Sequence, residues 1–122
     1  MMLASKKLKV ALATTHIPLC EVPKQLSTKL IHSKLDLLSK FCKSYTKNPL
    51  LKVAGLNPHA GEEGLLGHEE KDWINNSIVE WSKKNQEIQL LGPIPPDTCW
   101  NSSAQAWRDK KAPKHDGILA MY

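Results

Sequence analysis

The sequence has no long apolar run, and this absence limits where the protein can reside. No segment of its 122 residues approaches the roughly 18 consecutive apolar residues that a membrane span needs. The N-terminus also lacks the apolar core of a secretory leader. We therefore expect a cytoplasmic protein with no membrane partner.

Cysteine is sparse and lacks the spacing of a structural site. The chain has three cysteines, Cys20, Cys42 and Cys99, and no Cys-x-x-Cys pair. An odd number of distant cysteines is typical of reduced thiols in a reducing compartment. The spacing therefore argues against a disulfide framework and against a zinc ribbon.

The charge is positive but is not concentrated in one region. Seventeen Lys and Arg residues against 12 Asp and Glu residues give a formal net charge of +5. Such a charge can attract phosphates or nucleic acid. The lysines are dispersed along the chain, however, so the pattern favours a solvated surface, and we expect no nucleic-acid partner.

Apolar patterns predict an alternation of strands and helices. Short buried strands are predicted at residues 8–13, 51–55 and 118–122, and amphipathic helices at residues 28–45 and 69–84. This alternation favours an α/β fold in which part of the sheet is parallel. No repeat, low-complexity tract or linker interrupts the chain, so residues 1–122 are expected to form a single α/β segment with no internal boundary.

The last third of the chain carries shorter patterns. Residues 87–91 alternate like a short strand, and a proline-rich turn is predicted at residues 92–96. Asp97 and Thr98 are predicted to stabilise that turn with their side chains. Residues 100–112 are ambiguous and compatible with a short helix.

A glycine-rich loop at residues 55–67 follows the second predicted strand. It holds four glycines, together with Pro58 and His59. Glycine permits positive φ and close approach to a ligand, and Pro58 biases Asn57 towards an extended conformation. A strand, a loop and a helix in this order is how α/β proteins place ligand groups at the carboxyl ends of strands. A simple tight turn would have a similar composition, so both interpretations stay open.

Two histidines end different predicted strands: His16 ends the first and His59 the second. Adjacent parallel strands would bring them together at one edge of the sheet, and neutral imidazole is a common ligand for zinc and related ions. Glu62 and Glu69 could orient such a histidine or serve in loop solvation and helix capping. The remaining histidines, His32, His68 and His115, are predicted to face solvent.

Four segments of the chain form a series of motifs. They are Val10-Ala11-Leu12-Ala13-Thr14-Thr15-His16-Ile17-Pro18-Leu19, Gly55-Leu56-Asn57-Pro58-His59-Ala60-Gly61-Glu62, Gly92-Pro93-Ile94-Pro95-Pro96-Asp97-Thr98 and Asp116-Gly117-Ile118-Leu119-Ala120-Met121-Tyr122. In this order they resemble segments of the 4-hydroxythreonine-4-phosphate dehydrogenase family of the PdxA type. The resemblance covers nearly the whole chain, whereas the chain covers the middle of the family's length.

The resemblance implies both a fold and a metal site. The implied fold is a three-layer α/β/α sheet of the isocitrate/isopropylmalate dehydrogenase-like type, incomplete in this chain. The implied ligands of a divalent metal (zinc, magnesium or cobalt) are His16 and His59, with a third histidine that follows the Ala-Met-Tyr motif. With two of the three ligands, the isolated chain is expected to bind metal weakly and to be inactive.

The resemblance also implies a reaction. The family carries out NAD- or NADP-linked oxidation, with decarboxylation, of 4-phosphooxy-L-threonine in pyridoxal 5'-phosphate biosynthesis, and it works as a homodimer. No Gly-x-Gly-x-x-Gly motif follows a predicted strand, so the cofactor-binding residues are unknown and no catalytic residue is assigned. Missing segments of the enzyme are expected to dock in trans on an exposed strand at residues 118–122.

Two other classes of function remain open. A small zinc hydrolase would use His16, His59 and an acidic residue such as Glu62. A non-catalytic remnant or partner-binding module would use none of them. Zinc-dependent hydrolysis without nicotinamide would favour the hydrolase, and absence of both metal binding and turnover would favour the module.

Overall fold

The described strands form one sheet. The structure is a computed structural model that describes residues 1–109 and 115–122. In those ranges the strands are β1 (Met2–Ala4), β2 (Lys9–Leu12), β3 (Leu50–Ala54), β4 (Gln89–Ile94) and β5 (Gly117–Ala120). Their order across the sheet is β1-β2-β5-β3-β4. Neighbours from β2 to β4 are parallel, whereas β1 is antiparallel to β2. The predicted α/β fold is therefore confirmed.

Helices cover both faces of the sheet. The short α1 (Val22–Gln25) precedes α2 (Thr28–Lys43), and α2 packs with α3 (Asn75–Lys84) on one face. A π-helical turn, Glu70–Ile74, leads directly into α3. On the other face lies α4 (Asn101–Arg108), where Lys52 of β3 donates a hydrogen bond to Ser102. This arrangement is the three-layer α/β/α order that the resemblance implies.

Helix α2 shows why these residues form a helix. The side chain of Ser27 accepts a hydrogen bond from the backbone N–H of Leu30 at 3.2 Å, which satisfies one of the free donors at the helix start. Its buried residues recur every three or four positions, which gives the helix one apolar face. They are Ile31, Leu35, Leu38, Ser39 and Cys42.

The strand β5 lies at the centre of the sheet. It pairs with β2 on one side and β3 on the other, and all four of its residues are buried. Leu119 faces the main core beneath α2, while Ile118 faces the smaller apolar cluster with Ala54 and Cys99. The prediction that residues 118–122 offer an exposed strand for docking is therefore wrong, because both edges of β5 are already paired.

Strand β4 runs further than the sequence predicted. It continues to Ile94, so the predicted turn at residues 92–96 is wrong in its first half. Gly92 makes this possible: its φ is 150°, and a Cβ there would lie 2.6 Å from the carbonyl oxygen of Val53. The turn begins later, where the backbone N–H and the hydroxyl of Thr98 donate to the carbonyl of Pro95 at 3.1 and 3.3 Å.

Other predictions have mixed outcomes. Strand β1 was not predicted, and α4 lies within the range 100–112, of which residues 110–112 are outside the described part. The three cysteines are free thiols, with Cys42 and Cys99 buried and Cys20 exposed. In the described ranges, no helix combines the length and the apolar character needed to cross a bilayer.

Two polar contacts join α2 to α3. The indole N–H of Trp81, a residue that is 2% exposed, donates to the carboxylate of Asp36 at 2.7 Å. The Nε2 of His32 lies 2.8 Å from the carbonyl oxygen of Ser77. Because a carbonyl can only accept, Nε2 of His32 carries the proton. The prediction that His32 faces solvent is therefore wrong: α3 covers that side of α2, and His32 is half-buried.

The contact between Asp36 and Trp81 can be tested with a double-mutant cycle. Asp36→Ala should lower the free energy of unfolding by about 1 to 3 kcal/mol, because it leaves a buried indole N–H without an acceptor. In a Trp81→Phe background, which has no indole N–H, the same change should cost less than about 0.5 kcal/mol. Urea denaturation of the four proteins measures both values. An equal cost in the two backgrounds would show that the hydrogen bond contributes nothing.

Candidate functional site

The two candidate metal ligands lie at the same edge of the sheet. His16 follows the carboxyl end of β2 and His59 follows that of β3, and both strands run parallel to β5. Both side chains are exposed. The sequence suggested that these two strands are neighbours. In the structure they are not, because β5 lies between them. Two strand spacings place β2 and β3 roughly 10 Å apart.

Both histidines have an unusual backbone. The φ of His16 is 57° and that of His59 is 51°, in the left-handed region that L-residues rarely adopt. The left-handed conformation continues from His59 through Glu63. Within the described ranges, every non-glycine residue with positive φ is either His16 or a member of this run. Because each such residue costs roughly 1 to 2 kcal/mol, the surrounding structure must hold the backbone in place.

A buried carboxylate holds the start of this loop. Glu70 is 2% exposed, and its Oε1 accepts hydrogen bonds from the backbone N–H groups of Leu56 and Asn57 at 2.6 and 2.7 Å. Its Oε2 accepts from the side-chain amide of Asn57 at 2.8 Å. The same amide donates to Glu69 at 2.7 Å. Four short hydrogen bonds therefore fix the chain where it leaves β3.

Glycines provide the space for these contacts. A Cβ on Gly67 would overlap the side chain of Asn57, and one on Gly61 would lie 2.7 Å from the carbonyl oxygen of Gly67. It would also lie 3.1 Å from Oε2 of Glu70. The φ of Gly61 is 84°, which also favours glycine. Glycine at these positions therefore allows Glu70 and Asn57 to hold the loop in place.

The acidic residues named from the sequence have modest roles. Oε2 of Glu62 lies 3.7 Å from Nδ1 of His59, but both side chains are more than half exposed, so the pair stabilises little. The hydrogen bond from Asn57 is the main cause that lowers the pKa of Glu69. Glu70 was not predicted to be a site residue. Its spacing of four residues from buried Ile74 would have placed it on the inner stripe of the helix.

A cavity of about 300 Å³ opens beside His16. Its lining is mostly apolar and includes Leu12, Ile17 and Tyr122. Thr14 also lines it, and its hydroxyl donates to the carbonyl of Met121 at 2.7 Å, which ties the end of β2 to the end of β5. His59 is not part of this lining. The two histidines share an edge of the sheet but not this cavity.

The donor chemistry at this edge suits a divalent metal. Exposed imidazoles are suitable ligands for zinc and cobalt. Across residues 1–109 and 115–122, no group of three or more His, Cys, Asp or Glu side chains is placed to hold an ion. The described residues therefore offer two imidazoles of the right type for such an ion, one after each of two strands.

The prediction that His115 faces solvent is wrong. The residue is half-buried, with Nδ1 3.3 Å from the hydroxyl of Ser102 and Nε2 3.1 Å from that of Ser103. Burial lowers the pKa of His115, and the nearby charge of Lys52 lowers it further. This cluster attaches α4 to the sheet. His68, in contrast, is exposed as predicted.

The whole chain matches known proteins. A sequence model of the family described as pyridoxal phosphate biosynthetic protein PdxA matches residues 1–122. A 4-hydroxythreonine-4-phosphate dehydrogenase from Synechococcus sp. (strain RCC307) is 48% identical over 113 residues, and one from Yersinia enterocolitica is 40% identical over 124 residues. These matches cover 91% and 100% of this chain, and 34% and 35% of the relatives. The chain thus spans about a third of the length of these relatives.

Solved structures agree with the fold. The 4-hydroxythreonine-4-phosphate dehydrogenase of Klebsiella pneumoniae matches 99% of this chain with a TM-score of 0.84 and 31% identity, and 34% of that chain is covered. A terephthalate 1,2-cis-dihydrodiol dehydrogenase from Burkholderia xenovorans LB400 has a TM-score of 0.76 at 20% identity, which shows a shared fold alone. The incomplete dehydrogenase-type sheet expected from the sequence is therefore confirmed.

The left-handed run predicts an unusual effect of glycine. Glu63 is exposed and has a φ of 57°. Glu63→Gly should raise the free energy of unfolding by about 0.5 to 1 kcal/mol, because relief of the left-handed strain exceeds the entropy cost of glycine. Glu80→Gly, at an exposed position within α3, is the control and should lower it by about 1 kcal/mol. Destabilisation by both changes in urea denaturation would contradict the left-handed assignment.

The burial of His115 predicts a pH-dependent stability. The unfolded chain takes up a proton near the ordinary pKa of 6.5, whereas folded His115 takes it up at lower pH. The stability from neutral His115 is therefore complete above that pKa and is lost as the pH falls towards the folded-state value. Between the ordinary pKa and the lower folded-state pKa, the free energy of unfolding should decrease as the pH falls by up to about 1.4 kcal/mol per pH unit more in the wild type than in His115→Gln.

Urea denaturation at a series of pH values from about 8 to about 5 measures this difference. The other four histidines are present in both proteins, so their contributions cancel in the comparison. Parallel pH profiles for the wild type and His115→Gln would show that His115 titrates as it does in the unfolded chain.

Proposed function

Because the chain belongs to the PdxA family of pyridoxal phosphate biosynthetic proteins, we propose that it forms the metal-binding segment of a 4-hydroxythreonine-4-phosphate dehydrogenase. The proposed reaction is the NAD- or NADP-linked oxidation, with decarboxylation, of 4-phosphooxy-L-threonine. The observation that carries the proposal is the placement of His16 and His59 at the carboxyl ends of parallel strands, both exposed and both held in left-handed conformations.

The position of β5 supports this assignment. The resembled family has its third ligand directly after the Ala-Met-Tyr motif, which here ends at Tyr122. Because β5 lies between β2 and β3, a residue that follows this strand would emerge between His16 and His59. Three strands would then each supply one imidazole to a common ion, as catalytic metal sites with an open position require.

The chain's own residues bind and orient. His16 and His59 would hold zinc, magnesium or cobalt, with imidazole donors favouring zinc and cobalt. The bound ion would supply a Lewis acid beside the substrate hydroxyl, and the nicotinamide would accept the hydride. The apolar wall of the cavity beside His16 would exclude water from one side of this region. No residue of the chain is assigned to the nicotinamide or to the substrate phosphate.

This segment spans about a third of the length of its relatives. We propose a homodimer in which segments outside these residues supply the phosphate and nicotinamide sites. Loss of orientation among reacting groups can raise a barrier by about 7 to 11 kcal/mol. The 122-residue chain alone is therefore expected to form no measurable NADH from substrate and NAD.

The cytoplasmic location stays a prediction from the sequence.

The two other functions are weaker candidates. A zinc hydrolase using Glu62 would need that carboxylate close to the metal, and Glu62 does lie beside His59. The names of the relatives nevertheless favour a dehydrogenase. A partner-binding module would give neither zinc binding at these histidines nor turnover. Hydrolysis that requires zinc but no nicotinamide would favour the hydrolase.

Zinc binding tests the proposal directly. Calorimetry on the 122-residue chain should show weak binding of one zinc ion per chain, because two imidazoles lack the advantage of a third ligand. Loss of a residue that only supports a metal ligand weakens metal binding by roughly tenfold or more. His16→Ala and His59→Ala each remove a ligand itself, so each should weaken zinc binding by at least about tenfold.

His68→Ala is the control, because His68 is exposed and lies in the same loop region as His59. Its zinc affinity should equal that of the wild type. Unchanged affinity in both His16→Ala and His59→Ala would overturn the assignment of these ligands. A loss of binding in His68→Ala alone would transfer the ligand role to that residue.

A further inference from the structure

The position of His59 depends on the residues just before it. The chain leaves β3 at Ala54, and His59 follows after Asn57 and Pro58. Pro58 has a fixed φ and no backbone N–H, so it transmits the direction of Asn57 to His59 with little freedom. His59 has an exposed side chain and its one ion-pair contact within the described ranges is with Glu62. Its backbone therefore needs support from elsewhere.

Glu70 provides that support from inside the protein. A carboxylate is an acceptor-only group, and this one receives two backbone N–H groups and one amide N–H at 2.6 to 2.8 Å. Such charge-assisted hydrogen bonds are short and strong, and they set direction as well as distance. Because Glu70 begins the turn that leads into α3, its hydrogen bonds anchor the loop to a packed helix.

The contacts between Glu70 and Asn57 need both carboxylate oxygens of Glu70. Oε1 and Oε2 contact different groups of Asn57, so the carboxylate fixes both its backbone and its side chain. Gly55 and Gly61 would each place a Cβ 3.1 Å from one of these oxygens, so both glycines leave room for the carboxylate. A larger residue at either position would move the carboxylate and, with it, Asn57.

We propose that Glu70 is a positioning residue for His59: through Asn57 and Pro58 it fixes the direction in which the His59 imidazole meets the metal. The inference rests on the proposed metal-binding function. Glu70 would not itself contact the ion, because its side chain is buried and both of its oxygens face the loop backbone and Asn57. Its effect is to hold the left-handed run in the one conformation that aims His59 towards the edge shared with His16.

The test compares Glu70→Gln with Asp36→Ala, a destabilising change in another part of the fold. Glutamine keeps the shape but replaces one acceptor oxygen with an N–H₂ group, which faces donors instead of accepting from them. Zinc affinity, measured by calorimetry on folded protein, should fall by roughly 10-fold to 100-fold. Asp36→Ala weakens the helix contact far from the loop and should leave zinc affinity unchanged. Glu69→Gln replaces a charged acceptor of the Asn57 side chain with a neutral one and should cause a smaller loss.

A second readout needs no metal. Amide hydrogen exchange in the zinc-free protein should show faster exchange at Leu56 and Asn57 in Glu70→Gln than in Asp36→Ala, relative to the global unfolding rate of each protein. If Glu70→Gln does not fold, Asn57→Ser replaces it, because that change removes the amide that joins both carboxylates to the loop.

The outcomes separate the inference from the proposed function. A wild-type chain that binds no zinc would overturn the proposed function and the inference together. A wild-type chain that binds zinc through His16 and His59, with Glu70→Gln binding equally well, would overturn the positioning role alone. Equal losses of zinc affinity in Glu70→Gln and Asp36→Ala would reduce Glu70 to a contributor to general stability.

Discussion

One buried negative charge sets the geometry of the loop that carries His59. Burial of the Glu70 carboxylate is costly in itself, and the three N–H groups that point at it offset that cost. The same contact satisfies two backbone donors that would otherwise be unpaired at the end of β3. The strand end, the left-handed run and the start of the helix therefore depend on each other, because one side chain belongs to the helix and contacts the strand end.

Much of the fold follows from local pattern, and the exceptions have local causes. Contiguous apolar residues predicted β2, β3 and β5, and helical spacing predicted α2 and the combined length of the π-helical turn and α3 to within a few residues. Strand β1 has no such pattern, because Leu3 and Ala4 are exposed at the edge and the strand exists only through its pairing with β2. Strand β4 passes through Gly92 and Pro93, which are typical turn residues, because the missing side chain of Gly92 lets it approach β3.

The candidate site was predictable in its residues but not in its arrangement. Strand ends and residue type singled out His16 and His59, but strand order depends on pairings distant in sequence, so the insertion of β5 had no local signal. His32 and His115 were predicted to face solvent from their own helix or loop. That local pattern contains no information about which other elements pack against them. Helix α3 covers His32, and the serines of α4 surround His115. Glu70 was overlooked because a carboxylate in a first turn also fits the helix dipole.

The central place of β5 also governs how this sheet can assemble. Of the described strands, β5 comes after all the others in sequence, yet it separates β2 from β3 and pairs residues more than a hundred positions apart, as in the bond from Thr14 to Met121. Contacts of such long range close late and slow the search for the native state. During synthesis, β2 and β3 must wait with unpaired parallel edges until residues 117–120 leave the ribosome. Over that interval the nascent chain exposes strand edges that can pair with other chains, so this strand order leaves the chain open to aggregation until β5 is in place.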